Sequence, residues 1–361
     1  MKQIQIPSGM RDILPDECEK KQAVNRKIMD IFTLWGYRPI ETPLLEFYAT
    51  YRSSFASLEE ETLYKFVDDS GQILTLRTDM TLPIARVCAS KYTGGNLPLR
   101  FSYCSNVYKV RQSFAGKRNE VTDCGIELIG LDEKADLEVL SCALDVMREL
   151  FRDRCVLEIG NSRFFWKACR LAGLDEEQSA VLSDLIDRKA MTDTKQMIEA
   201  AQLRPEEKEF FNRLPLLGGE NALEDAEEVC FDEALREIIR HLCRLKEQLE
   251  DLGYGRNISF DLGKVPHRDY YTGIIFEGFA EGIGSGVLSG GRYDTLLRKL
   301  GRDLPAVGFG VKSDLLIGHV ETETQEIRKL YYRPSQEADA IRKARELRKY
   351  GPVELVMEET E

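Results

Sequence analysis

The sequence predicts an α+β fold, an antiparallel sheet flanked by helices and interrupted by a long helical insertion. Three observations carry this. Segments with strand character cluster on either side of residues 162–252, a stretch that is polar, Leu-rich and almost free of strand signals. Two strand candidates, 63–67 and 73–77, are joined by Asp68-Asp69-Ser70-Gly71, a natural hairpin turn that sets them antiparallel. The chain has 361 residues, 43% hydrophobic and 31% charged, enough to bury the core of one large domain with accessory pieces.

The elements follow in order. Residues 15–35 read as a helix, with Ala23, Ile28, Ile31 and Phe32 at helical spacing and Gly36 as its stop. Residues 37–43 are extended, because Pro39 and Pro43 forbid helix there. Further strands are expected at 99–110, 123–129, 156–159, 258–262 and 274–279. Beyond 321 the composition shifts. A strand at 329–332, a helix at 336–350 capped by Ser335 and closed by Gly351, and a strand at 353–357 make a β-α-β unit too short to stand alone. The expected division is a core over 1–320, carrying the insertion at about 162–252, and a short C-terminal unit over 321–361.

Composition narrows the function classes. The formal net charge is −12 and the sequence pI is about 5.1. Nucleic-acid binding rests on Lys and Arg neutralising phosphates, so the balance counts against an RNA partner. No apolar run is long enough to span a bilayer, and residues 1–7 carry no signal-peptide pattern, so a cytoplasmic protein without a membrane partner is expected. Nine cysteines without a CxxC pair argue for free thiols in a reducing compartment. Cys124, beside Ile126 and Leu128, reads as a small core residue. With three histidines, none near a cysteine pair, neither a zinc site nor any other cofactor is expected.

Several stretches carry more specific information. They are residues 7–15, opening Pro7-Ser8-Gly9-Met10-Arg11-Asp12; residues 36–43 after the first helix; and Thr75-Leu76-Arg77-Thr78-Asp79-Met80-Thr81. Two more follow the insertion, residues 269–277 with Asp269-Tyr270-Tyr271-Thr272-Gly273, and Gly290-Gly291-Arg292-Tyr293-Asp294. In register, over residues 7 to 318, they resemble the histidyl-tRNA synthetase family, a class II aminoacyl-tRNA synthetase fold. The resemblance implies that 36–43 builds a dimer interface, that 75–81 is an amino-acid-binding strand, and that the last two stretches are histidine-specific signatures.

The departures decide the function class. Class II chemistry needs positive groups on the ATP phosphates, and arginine supplies paired hydrogen bonds to them. By resemblance, Lys109 stands at the second motif's arginine position, and Arg111 reverses the charge of an acidic one. Leu315 occupies the third motif's arginine position. Pro266 falls where the first histidine signature places its catalytic arginine, with Arg268 two positions away as a possible substitute. Losing one such group typically costs on the order of 3 kcal/mol of transition-state stabilisation, so adenylation is not expected and no catalytic residue is assigned.

The amino-acid pocket is retained. By resemblance, Asp79, Thr81 and Asp123 surround an α-ammonium group, while Glu127 and Tyr271 meet an imidazole, with Tyr270 in the same candidate set. Carboxylates suit an ammonium, and a carboxylate orients an imidazole N–H. Asp79 is a methylene shorter than the family's glutamate, and Asp123 replaces its glutamine. An ordinary polar residue and a core aromatic are the plain alternative for Glu127 and Tyr271. Only about forty residues follow the core, where the family has a complete anticodon-binding domain.

A synthetase core with these losses resembles the regulatory subunits of ATP phosphoribosyltransferase, the first enzyme of histidine biosynthesis. That implies a short catalytic ATP phosphoribosyltransferase chain as partner, a mixed oligomer built on a self-dimer, and feedback by histidine. The alternatives are a truncated histidine-activating enzyme, and a scaffold that binds no histidine. Lys109, Pro266 and Leu315 speak against the first, and Thr81, Glu127 and Tyr271 against the second.

Overall fold

A computed structural model describes residues 5–55, 60–94, 97–110, 118–265, 271–321 and 326–358. The first helix, Pro15–Leu34, begins on a proline and carries Asp16 and Glu17 in its first turn, where free N–H groups and the helix dipole favour them. It buries Val24, Ile28 and Phe32 one turn apart and stops at Gly36, whose φ of +80° suits a residue without a Cβ.

Strand β1 (Arg38–Pro39) follows, then a small antiparallel sheet of β2 (Leu45–Phe47), β3 (Lys65–Val67) and β4 (Ile73–Leu76) in the order β2-β4-β3. The β3–β4 turn forms as expected. Asp68 accepts N–H bonds from Ser70 and Gln72 through its side chain, and Gly71 takes a φ of +77°.

The remaining strands are β5 (Leu99–Tyr108), β6 (Glu120–Ile129), β7 (Cys155–Asn161), β8 (Gly218–Gly219), β9 (Ile258–Asp261), β10 (Ile274–Ala280), β11 (Leu288–Arg292), β12 (Ala306–Lys312), β13 (Arg328–Tyr332) and β14 (Val353–Met357). The main sheet runs β1-β5-β6-β12-β11-β10-β7-β9-β8. Every neighbouring pair in it is antiparallel except β1–β5 and β7–β9.

Alternation along β5 and β6 sends their side chains to two faces. Cys124, Ile126 and Leu128 join a large core with the first helix, the almost wholly buried helix Asp136–Phe151 and the insertion helices. Phe101 and Tyr103 face a second cluster under the helix Thr81–Lys91, with Met80, Leu82, Tyr293 and Leu296. The candidate site lies on this second face.

The insertion contains the helices Ser162–Leu171, Glu176–Asp187, Met191–Ala200, Pro205–Arg213, Ala222–Val229 and Glu233–Asp251. Asp175 and Gln178 form a reciprocal capping box, and Asp232 accepts from Ala234 N–H at the start of the last helix. The insertion is not free of strand, since β8 pairs with β9 at the edge of the main sheet. Its buried Phe210, Phe211, Leu235 and Leu242 are continuous with the core behind that sheet.

Two local expectations are corrected. Thr81 is not in a strand: β4 ends at Leu76, and Thr81 opens the helix Thr81–Lys91. The Asp79 side chain accepts the N–H of Leu82, which turns the chain into that helix. Ser335 does not cap the C-terminal helix. It lies in a 3₁₀ turn, Pro334–Gln336, and the helix Glu337–Leu347 starts without a side-chain cap bond, ending four residues before Gly351. The glycine pair at 290–291 sits in strand β11.

Among the described residues no helix is long and apolar enough to cross a membrane.

Candidate functional site

A cavity of about 110 Å³ opens on the second face of the main sheet. Four of the expected pocket residues line it: Asp79, Thr81, Asp123 and Tyr271. Glu127 sits just beneath, on β6, with 1% of its surface exposed. Its carboxylate is held from two sides. The Thr81 hydroxyl donates to Oε1 at 2.7 Å, and the Tyr293 hydroxyl donates to Oε2. Asp79 accepts from the Thr78 hydroxyl at 3.2 Å and from Leu82 N–H at 3.1 Å, so one carboxylate caps a helix and faces the cavity. Tyr270, Pro266, Arg268 and Arg111 lie outside the described residues.

Glycines make room for this arrangement. Gly308 on β12 stands opposite Glu127 in the register, and a Cβ there would fall 2.0 Å from Glu127 Oε2. A Cβ on Gly291 would meet the Tyr271 ring at 2.7 Å, and one on Gly125 would strike the Tyr103 hydroxyl and the Phe309 carbonyl. The cavity floor is therefore bare backbone on β6, β11 and β12, over which two tyrosines and a carboxylate lie flat.

Burial dominates the electrostatics. It pushes the Glu127 carboxyl up to about 8, with the negative charge of Asp79 adding to the rise, against hydrogen bonds from Tyr293 and Thr81 that favour the charged form. Near neutral pH the group is largely protonated, so it can donate as well as accept. Tyr103 and Tyr293 are raised well above the ordinary tyrosine range, first by burial and then by the Glu127 charge.

The positions read as lost arginines separate in space. Lys109 lines the cavity, as does Lys312, whose ammonium donates to the Gly286 carbonyl at 3.2 Å. Leu315 lies half-buried on a 3₁₀ turn, Ser313–Leu315, and takes no part in the lining described. Arg77 and Arg292, each inside a family-like motif, are structural. Arg77 donates to the Asn106 and Thr42 carbonyls, tying the end of β4 to its surroundings. Arg292 is 1% exposed, pairs with Asp136 at 2.6 Å and donates to the Leu131 and Asp132 carbonyls. Burial disfavours its charge, but Asp136 and Asp294 outweigh that and raise it.

Two participants escaped the reading of the sequence, Tyr293 as the second donor to Glu127 and Tyr103 in the lining. For Tyr293 the signal was present, since it stands inside the Gly-Gly-Arg-Tyr-Asp stretch. Tyr103 lies on an unremarkable strand and had none.

Comparisons with known proteins agree with this geometry. The histidyl-tRNA synthetase family model matches residues 9–316. An ATP phosphoribosyltransferase regulatory subunit from Clostridium kluyveri is 36% identical over 358 residues, 96% of this chain and 92% of its own. The crystal structure of an ATP phosphoribosyltransferase regulatory subunit/histidyl-tRNA synthetase from Bacillus halodurans superposes with a TM-score of 0.88 at 33% identity, covering 98% of this chain and 92% of that one. Histidyl-tRNA synthetase from Nostoc sp. PCC 7120 shares the fold, with a TM-score of 0.82 at 19% identity.

Sheet order, helical insertion and carboxylate-floored cavity thus define a protein with the histidyl-tRNA synthetase type of class II fold. Within that class, the chain belongs to the family of ATP phosphoribosyltransferase regulatory subunits. Such a chain is a non-catalytic subunit in histidine biosynthesis.

Proposed function

We propose that this chain binds a short-form catalytic ATP phosphoribosyltransferase subunit in the cytoplasm, is required for its activity, and makes it sensitive to histidine. The carrying observation is the Thr81–Glu127–Tyr293 arrangement under the cavity, which suits an amino acid, together with a lining that holds no arginine among the described residues. In the proposed binding mode Asp79 and Asp123 face the α-ammonium group of histidine. The imidazole lies against Tyr271 and hydrogen-bonds Glu127. A protonated Glu127 donates to the bare imidazole nitrogen and an ionised one accepts from the N–H, so either form holds the ring.

A core that keeps an amino-acid site and lacks the adenylation clamp acts on metabolism through contact with a partner. A self-dimer through 36–43 would present two copies of the partner surface and give a symmetric mixed assembly. Histidine inhibits if it binds the active and inactive arrangements with different affinity. The test mixes this chain with a short-form catalytic chain from the same genome and follows complex size by light scattering and phosphoribosyl-ATP formation with and without histidine. Absence of a complex at micromolar concentration, with unchanged activity, overturns the proposal.

A further inference from the structure

Two of the nine cysteines face each other. Cys104 on β5 and Cys124 on β6 are direct partners in the antiparallel register, so their side chains stand side by side on one face of the sheet. Cross-strand partners sit about 4.5–5.5 Å apart at Cα, inside the roughly 4.4–6.8 Å that a disulfide bridges. The two thiols differ in access. Cys104 is exposed, while Cys124 is fully buried, its thiol donating to Asn25 Oδ1 on the first helix at 3.6 Å.

We propose that Cys104 and Cys124 are a redox-active dithiol that closes to a disulfide on reaction with hydrogen peroxide. Cys104 is the attacking sulfur and Cys124 the resolving one. The Cys104 thiolate attacks a peroxide oxygen, the O–O bond breaks, and hydroxide leaves to become water, giving a sulfenic acid. The Cys124 sulfur then attacks Cys104 sulfur, the S–O bond breaks, and the hydroxyl leaves with the Cys124 proton as a second water. Two thiols lose two electrons, and one peroxide gains them.

The surroundings fit these roles. Cys104 is lowered from the ordinary thiol range, first by the adjoining Cys124 thiol and then by the Lys21 charge, against partial burial of its sulfur and the charges of Asp314 and Asp123. Lys21 lies on the first helix and pairs with Asp314 at 2.9 Å. Cys124 is raised by Cys104 beside it and by burial, which keeps it from reacting with an oxidant directly. Of the other seven thiols, Cys88, Cys142, Cys155, Cys169 and Cys230 are buried and Cys18 and Cys243 half-buried. The location matters because Tyr103 and Asp123, the chain neighbours of the two cysteines, point to the opposite face and line the cavity. Closure would tighten β5 against β6 directly behind that floor.

The test uses the full chain, reduced and then exposed to stoichiometric hydrogen peroxide. Titratable thiols should fall from nine to seven, and tryptic mapping should join residues 101–109 to residues 119–134. Cys124→Ala should stop at a Cys104 sulfenic acid trapped by dimedone, and its iodoacetamide reactivity should need a higher pH than in the parent chain. Oxidation of Cys18 or Cys243 ahead of the pair, or no linked peptide from the parent chain, overturns the proposal whatever the variant does. None of these readouts involves histidine or the catalytic partner, so they stand apart from the proposed function.

Discussion

Replacing Glu127 with glutamine isolates the charge of the buried carboxylate. The folded carboxyl titrates near 8 because burial disfavours its anion, whereas in the unfolded chain it titrates near the ordinary 4.5. Below 4.5 both states hold the proton and the group has no effect on stability. Between 4.5 and 8 the folded state binds more protons than the unfolded one, so stability falls as pH rises, and above 8 the loss is complete. The slope approaches about 1.4 kcal/mol per pH unit, and the whole window is worth on the order of 5 kcal/mol. Glutamine has the shape of the protonated acid and still offers one acceptor and one donor to Thr81 and Tyr293. Glu127→Gln should therefore match the parent chain near pH 5 and exceed it by a margin that grows to several kcal/mol by pH 9, on the order of the window above. Urea unfolding followed by tryptophan fluorescence, from pH 5.5 to 9, reads this directly. Parallel stability curves for the two proteins would refute the reasoning, because they would mean that Glu127 is ionised in the fold throughout.

Three further outcomes are expected. Histidine should raise the melting temperature of the isolated chain and glutamine should not, because a ligand that binds only the folded state stabilises it. Glu127→Ala should remove that shift while leaving a folded protein, and an unchanged shift would place the histidine site elsewhere, such as the interface with the catalytic chain. Purified protein should show no histidine-dependent ATP–pyrophosphate exchange above a no-enzyme control. Leu315→Arg alone should not create it, since clamp residues act as a unit and Leu315 sits on a turn outside the cavity lining. Arg292→Met should cost about 3–5 kcal/mol by stranding Asp136 without its buried partner, as measured by urea unfolding. Adding Asp136→Leu should restore part of that.

The sequence made some elements legible and hid others, and the difference is physical. The first helix, the β3–β4 hairpin and the strands on either side of the insertion each carry a local signal, a periodic apolar face or a turn residue that tertiary contacts reinforce. The helix Asp136–Phe151 is harder to read. Eleven of its sixteen residues are buried, which narrows its polar side to a strip of Glu138, Asp145, Arg148 and Glu149. Strands β11 and β12 are hidden for the opposite reason, because Gly290, Gly291, Gly308 and Gly310 read as turn formers. Gly291, Gly308 and Gly310 are strand residues because Tyr271, Glu127 and Tyr103 need the volume their side chains would fill, and Gly290 because Phe309 and Phe276 close on it from the other face.

The same reasoning separates recognition from support in the motif Gly-Gly-Arg-Tyr-Asp. By pattern alone, Arg292 and Tyr293 are equal candidates to meet a ligand. Alternation forbids it, since Arg292 ends β11 and the next residue, Tyr293, turns to the opposite face. Tyr293 reaches Glu127 beneath the cavity. Arg292 turns into the large core, where Asp136 holds its guanidinium and His241, from the last helix of the insertion, lies 3.3 Å from the other Asp136 oxygen. One short stretch thus fixes the cavity floor to the helix Asp136–Phe151 and, through it, to the insertion. A chain that had lost both its chemistry and its ligand would need neither the Tyr293–Glu127 contact nor bare backbone at Gly308. The retention of both, beside a third-motif position that now holds Leu315, is what favours a ligand-responsive regulator over an inert scaffold.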